Sequence, residues 1–178
     1  MRSQGVDSLE DIRRLKYRYA RSLDLKRWDE FADVFTEDAT ADYGTRATSE
    51  PLTLRGREQI VSYMRDALGG NIITVHFCAQ PEIEIAPSVG DGDNADGDNA
   101  DGDTAEGTWC FEDTVIVPDH RIMIKGSAYY EDRYRRENGV WRISHIGYQR
   151  TYELMVSFDD MPSLQLLANR WADVPQQV

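Results

Sequence analysis

The apolar residues of this chain change their spacing at residue 71, and that change constrains the fold more than any other feature. Before it, in DSLEDIRRLKYRYARSLDLKRWDEF, the residues Leu9, Ile12, Leu15, Tyr19, Ser22 and Leu23 make one stripe at helical spacing, while Arg13, Arg14, Arg18 and Arg21 point elsewhere. This predicts a first helix, capped by Asp7 or Ser8. A second, short helix over about residues 28–36 buries Phe31, Val34 and Phe35; ATADYG reads as a strand, and GREQIVSYMRDALGG as a helix stopped by Gly69 and Gly70. From residue 71 the period is 2, which predicts strands at about 72–79, 81–87, 107–117, 121–135 and 140–154. PDH (118–120) and ENG (137–139) fall between long strands as hairpin turns. Helices followed by long antiparallel strands predict an α+β domain with its helices on one face of a curved sheet.

At 178 residues the chain is expected to form a single domain over 1–178, with an acidic low-complexity loop inserted at 88–106 and a C-terminal helical tail at 160–174, in MPSLQLLANRWADV. A formal charge of −12 argues against nucleic acid and anionic membrane surfaces as partners. Seven of those charges sit in the inserted loop, which leaves about −5 for the rest. The repeat DGDNADGDNADGD lacks the EF-hand ligand spacing, because Ala95 and Ala100 stand at the third ligand position, so it reads as a solvated connection rather than a calcium site. No apolar run reaches a membrane-spanning length and the N-terminus carries no signal-like h-region, so a cytoplasmic protein is expected. Cys78 and Cys110 read as reduced thiols, with a disulfide between them left open.

Within ITVHFCAQ, Thr74, His76 and Cys78 share one face of a strand and Val75, Phe77 and Ala79 the other. The second face is uniformly apolar or small and is expected to pack on the core; the first resembles a cavity lining. A histidine there titrates near neutrality and is suited to proton transfer, although a hydrogen-bonded core histidine fits the same spacing. Asp24 is set at the end of the first helix, where the dipole disfavours an anion by about 0.3–1 kcal/mol; a partner such as an imidazolium would compensate, although a solvated acid in the connection DLKRWDE fits the same position, at the rim of the apolar stripe. Tyr19 lies within the apolar stripe, and a buried phenol needs a hydrogen-bond partner. Phe35, Tyr43, Tyr63, Met64 and Trp109 are candidates for a pocket wall, each equally compatible with plain core packing. Cys78 beside His76 comes without an oxyanion-hole signature and reads as a small pocket-lining hydrophobe. His76, His120 and His145 show no metal-ligand spacing, and His120 belongs to a solvent-exposed turn.

The segments IRRLKYRYARSLDLKRWDEFADVFTEDATADY, GREQIVSYM, TVHFCAQPEIEI and YYEDRYRRENGVWRISHIGYQRTY together resemble the SnoaL-like branch of the NTF2-like superfamily. The resemblance implies a cone: a strongly bent, mostly antiparallel sheet around an apolar pocket that the N-terminal helices close. Within the branch, the chain is most similar to a group containing bile-acid 7α-dehydratase, scytalone dehydratase and hexachlorocyclohexane dehydrochlorinase. In that group an aspartate at the end of the first helix pairs with a histidine on a pocket-facing strand, and Asp24 and His76 match those positions. Tyr19 matches a tyrosine that the bile-acid dehydratase uses near its leaving hydroxyl. His145 falls where the dehydrochlorinase places an arginine, which argues against an anionic leaving group.

The resemblance and the residues together imply a cofactor-independent, metal-free dehydratase or isomerase acting on a hydrophobic polycyclic or aromatic hydroxy-carbonyl compound, steroid- or polyketide-like. His76 is the expected base, Asp24 its orienting partner, and Tyr19 or protonated His145 the donor to the departing oxygen. The same cone also serves as a non-catalytic binding or accessory subunit and as a polyketide cyclase, and these are the alternatives. Assembly as a homodimer or homotrimer is the further expectation from the resemblance.

Overall fold

A computed structural model describes residues 4–44, 52–87 and 101–172. Two helices open the chain, α1 (Gln4–Asp24) and α2 (Trp28–Asp33), followed by strands β1 (Phe35–Gly44) and β2 (Leu52–Arg55) and helix α3 (Arg57–Leu68). Four long strands complete it: β3 (Ile73–Pro87), β4 (Asp101–Val117), β5 (Ile122–Glu137) and β6 (Val140–Ser157). They form one six-stranded curved sheet in the order β2-β1-β6-β5-β4-β3, antiparallel except where β1 runs parallel to β6. Helix α1 lies across β3, β4 and β6, and α3 packs on β1 and β2. This is the α+β cone expected from the sequence.

The stripe on α1 is buried as its spacing predicts: Ile12, Leu15, Tyr19, Ser22 and Leu23 are all closed to solvent. Between its residues sits one that hydropathy does not place there, Lys16, which is fully buried. The helix starts at Gln4, ahead of the expected caps, and Asp7 instead falls in the first turn, where the dipole favours an acid. Helix α2 ends at Asp33, so Phe35 opens β1 rather than closing a helix. The β3 segment is one strand, not two. Gln80 adopts φ 50 and the β3–β4 register slips between Ala79 and Glu82, a bulge that bends the strand without ending it. The turn at ENG forms as its residues demand, with Asn138 at φ 53 and Gly139 at φ 79, the two positive values of a type I′ hairpin.

Three expectations are corrected. The apolar face of β3 points outward: Val75 is 55% exposed and Phe77 67%, while Thr74 on the other face is buried. The interior is the mixed face, because that is the side α1 covers. The acidic insertion is shorter than its composition suggests. Strand β4 begins at Asp101, pairs with the end of β3 and from Thr104 with β5, and Asp103 lies 2.8 Å from Arg136 and Glu106 3.6 Å from Arg133. The remainder of that loop, 88–100, lies outside the described residues. The tail forms no helix through Ala172; after a 3₁₀ turn at Phe158–Asp160 it continues in turns, its leucines exposed with no helix face to bury them. No helix among the described residues is long and apolar enough to cross a membrane.

Candidate active site

Helix α1 ends in a Schellman motif. The N–H of Arg27 bonds the carbonyl of Ser22 at 2.8 Å and that of Lys26 bonds the carbonyl of Leu23 at 3.0 Å, with Lys26 in the left-handed region at φ 55. This closure ends the helix one turn above β3 and leaves Asp24 on its last turn, facing the strand. Its carboxylate is then satisfied three times over. Oδ1 accepts from the Thr74 hydroxyl at 2.9 Å and meets His76 Nδ1 at 2.7 Å, and Oδ2 accepts from the His76 backbone N–H at 2.8 Å. These donors offset the unfavourable end of the dipole. The side chain of His76 is 8% exposed and that of Asp24 19%.

The contact fixes the imidazole's chemistry. A carboxylate only accepts, so Nδ1 carries the ring proton and Nε2 is left as the basic nitrogen. An aspartate that orients a histidine in this way also steadies the imidazolium once Nε2 takes a proton.

Four charged residues that the spacing of apolar residues does not single out complete the interior. Asp113 stands directly opposite His76 in the β3–β4 register. It receives a two-pronged grip from Arg150 on β6, Nη1 to Oδ1 at 2.6 Å and Nη2 to Oδ2 at 2.8 Å. The guanidinium also lies 5.4 Å from the Phe111 ring and 5.1 Å from that of Tyr148. Farther along, Lys16 Nζ donates to Asp132 Oδ2 at 2.7 Å and sits 3.5 Å above the Tyr130 ring. Asp113 and Asp132 continue a period-2 run of inward positions through Trp109, Phe111 and Tyr130, and Arg150 continues one through Ile146 and Tyr148. The alternation therefore carried the signal, but hydropathy counts a charge against an inward assignment.

Between the two ion pairs lies an aromatic interior. Phe111 stacks on Tyr130 at 4.1 Å, with Tyr148, Tyr43 and Tyr19 packed edge-on or tilted around them. Tyr19 also packs on Phe31 and Phe35, and burial holds its phenol well above the usual tyrosine range. Tyr63 and Met64 on α3 border the same core. Trp109 belongs to its far end, donating to the Tyr134 hydroxyl at 2.8 Å. The thiol of Cys78 faces inward and burial pushes it up to about 11, so it stays protonated at neutral pH. Cys78 and Cys110 are both free thiols.

His145 is not brought together with the dyad. A register irregularity in β6 near Ser144 leaves both Ile143 and Ile146 inside, so His145 pairs with exposed Arg133 and turns to the outer face. There it bonds the Thr40 hydroxyl at 2.7 Å, lies 3.9 Å from Asp42, and borders a polar surface cavity of about 230 Å³ with Glu106, Glu131 and Arg133. The inward-facing cation on this strand is Arg150. His120 occupies an exposed turn, as expected. Among the described residues, no three His, Cys, Asp or Glu side chains converge in a way that suits a metal ion.

A family profile described as a SnoaL-like domain matches residues 4–147. Among solved structures the chain is similar to a hexachlorocyclohexane dehydrochlorinase, LinA type 2, at 18% identity and TM-score 0.66 over 85% of this chain and 90% of that one. It is similar to a putative scytalone dehydratase from Novosphingobium aromaticivorans at 16% identity and TM-score 0.67, covering 84% and 88% of the two chains. ActVI-ORFA from Streptomyces coelicolor aligns at 15% identity and TM-score 0.60, over 82% of this chain and 98% of its own. At these identities the likeness is one of fold.

Proposed function

The chain belongs to the SnoaL-like domain family of the NTF2-like superfamily, and from that premise and the pairing of Asp24 with His76 we propose that it is a lyase or isomerase working by acid–base chemistry on a hydrophobic hydroxy-carbonyl compound. The observation that carries this reading is the 2.7 Å contact that leaves Nε2 of His76 as a free base beside an aromatic interior. The carboxylate at the helix C-terminus takes hold of His76 twice, through the ring Nδ1 and through the backbone N–H, which is an arrangement suited to orienting a base.

In the dehydratase form, Nε2 takes the proton on the carbon next to the substrate carbonyl. The released electron pair forms the C=C bond as the C–O bond to the neighbouring hydroxyl breaks, and the departing oxygen leaves as water with a proton from Tyr19. The imidazolium then returns its proton to the phenolate. Asp24 stabilises the cation meanwhile. In the isomerase form Nε2 returns the proton to another carbon. Neither route transfers electrons to an acceptor.

The test is a screen of steroid and aromatic hydroxy-ketones by thermal shift, followed by turnover with the wild type and His76→Asn. The variant is expected to keep binding and lose turnover; full turnover by His76→Asn overturns the assignment.

Assembly is the second part of the reading. Val75, Phe77, Tyr129, Tyr152 and Leu154 project from the outer face of the sheet, and an apolar surface of that extent is expected to be covered by a second copy of the chain. Light scattering of the purified protein, with Phe77→Glu as the disrupting variant, decides between a homo-oligomer and a monomer.

A further inference from the structure

Two donors meet on a single oxygen of Asp24. The Thr74 hydroxyl reaches Oδ1 at 2.9 Å and His76 Nδ1 reaches the same atom at 2.7 Å, while Oδ2 accepts the His76 backbone N–H at 2.8 Å. Thr74 stands two residues before His76 on the same face of β3 and is 4% exposed. Its β-branched side chain has few χ1 choices on a strand, so the hydroxyl is fixed toward the carboxylate. A carboxylate only accepts, which makes the hydroxyl the donor in this contact.

The consequence is electrostatic. A donor on Oδ1 stabilises the ionised Asp24 whether or not His76 carries a second proton, and it takes up part of the charge that would otherwise attract the imidazolium. We propose that Thr74 is a positioning residue that sets the base strength of His76 through Asp24. It holds Oδ1 against Nδ1, and by sharing that oxygen it keeps Nε2 from binding its proton too tightly to pass it on. Thr74 itself touches no reacting atom. The inference rests on the acid–base reading of the dyad. Other charges surround the imidazole from each neighbouring element. Asp113 stands opposite on β4, gripped by Arg150 of β6, which has Glu153 3.6 Å from its Nε. Lys26, beyond the end of α1, acts on Asp24, and Lys16 of α1 pairs with Asp132 of β5 farther along. Cys78, the next inward residue of β3, stays neutral. All of these remain when the Thr74 hydroxyl is removed, so a change on its loss is assigned to it.

The chain has three histidines, and their Hε1 protons can be followed separately by proton NMR, with the His76 signal identified by its absence from His76→Asn. The titration uses the free protein and needs no substrate. In Thr74→Val the midpoint of His76 is expected to rise by about half a pH unit or more, because the unshared carboxylate holds the imidazolium more strongly. Thr74→Ser keeps the hydroxyl and is expected to restore the wild-type midpoint. Thr74→Ala repeats the deletion without bulk should the valine disturb folding, and His120 and His145 serve as internal controls. A His76 midpoint that Asp24→Asn lowers but that neither Thr74→Val nor Thr74→Ala raises overturns the inference and leaves the dyad in place. A serine variant that follows the valine variant does the same. A midpoint indifferent to Asp24→Asn overturns the dyad and this inference together.

Discussion

His76 and Asp113 face each other across β3 and β4, and each is held by a residue from a different part of the chain. Asp24, from the end of α1, holds the imidazole, and Arg150, from β6, holds the carboxylate. The first pair leaves a nitrogen free for a substrate proton. The second places a charge-balanced guanidinium beside the same row of the sheet. Helix α1, β3, β4 and β6 therefore each supply one member of these two pairs.

Loss of either dyad member should abolish chemistry by different routes. His76→Asn removes the base, and turnover of an identified substrate is expected to fall by about 10²- to 10⁴-fold. Asp24→Asn keeps the shape but no longer requires the proton on Nδ1, so a comparable fall is expected from the wrong tautomer. It also weakens three hydrogen bonds to a charged group, at a stability cost of about 1.5–3 kcal/mol. Steady-state kinetics and urea unfolding of both variants check this; unchanged kcat in Asp24→Asn sinks the orienting role.

The Arg150–Asp113 pair is nearly buried, with the two side chains 12% and 5% exposed. Arg150→Met strands a carboxylate in the interior and should destabilise by about 3 kcal/mol, whereas Arg150→Met combined with Asp113→Leu should recover most of that loss. A double-mutant cycle by urea unfolding reads the coupling directly. Additive losses would mean that the two groups do not depend on each other.

Gly126 supplies a test that removes no functional group. A Cβ there would stand 2.4 Å from Arg150 Nη1 and 3.1 Å from Asp113 Oδ1. Gly126→Ala should displace the guanidinium tip and cost about 1–3 kcal/mol of stability. Turnover should fall with it if the placement of Arg150 matters to the site. A fully active, equally stable Gly126→Ala protein contradicts both points.

Asp24 and His76 stood out in the sequence as an acid at a helix C-terminus and an imidazole in the middle of a strand, but their pairing followed from the family resemblance, because helical spacing alone does not aim Asp24 inward. The fold was legible from the change of period. The faces of β3 were not, since Val75 and Phe77 are more apolar than Thr74 and Cys78 and yet point outward. Hydropathy assigns a strand's faces correctly only when its outer side meets water, and an apolar outer surface defeats it. Lys16, Asp113, Asp132 and Arg150 escaped for the converse reason, as charges neutralised by one another inside. The outward turn of His145 depends on an irregularity in β6 that no residue in RISHIGY announces. Strand β2 is four residues long, too short for its period to be recognised.

Alkaline stability separates two opposing groups of side chains. Burial pushes the Lys26 ammonium down from its usual 10.5 to about 8, with Asp24 opposing the shift. The folded protein therefore releases this proton before the unfolded chain does, and between those two pH values the unfolded chain binds more protons, so Lys26 makes stability rise with pH. Burial also pushes Tyr148 up from 10.0 to about 12 and raises Tyr19, Tyr43, Tyr130 and Tyr134 further. Their stabilisation is fully present below pH 10 and is lost as pH climbs toward the folded values, because the unfolded chain ionises first. Urea midpoints measured from pH 8 to 12 should thus rise at first and then fall steeply, with the phenolate absorbance appearing only on unfolding. Lys26→Met should flatten the rising limb and leave the fall, while Tyr148→Phe should soften the fall and leave the rise. A wild-type curve that declines steadily from pH 8, or a Lys26→Met curve that superimposes on the wild type, would show that Lys26 keeps its ordinary affinity for the proton.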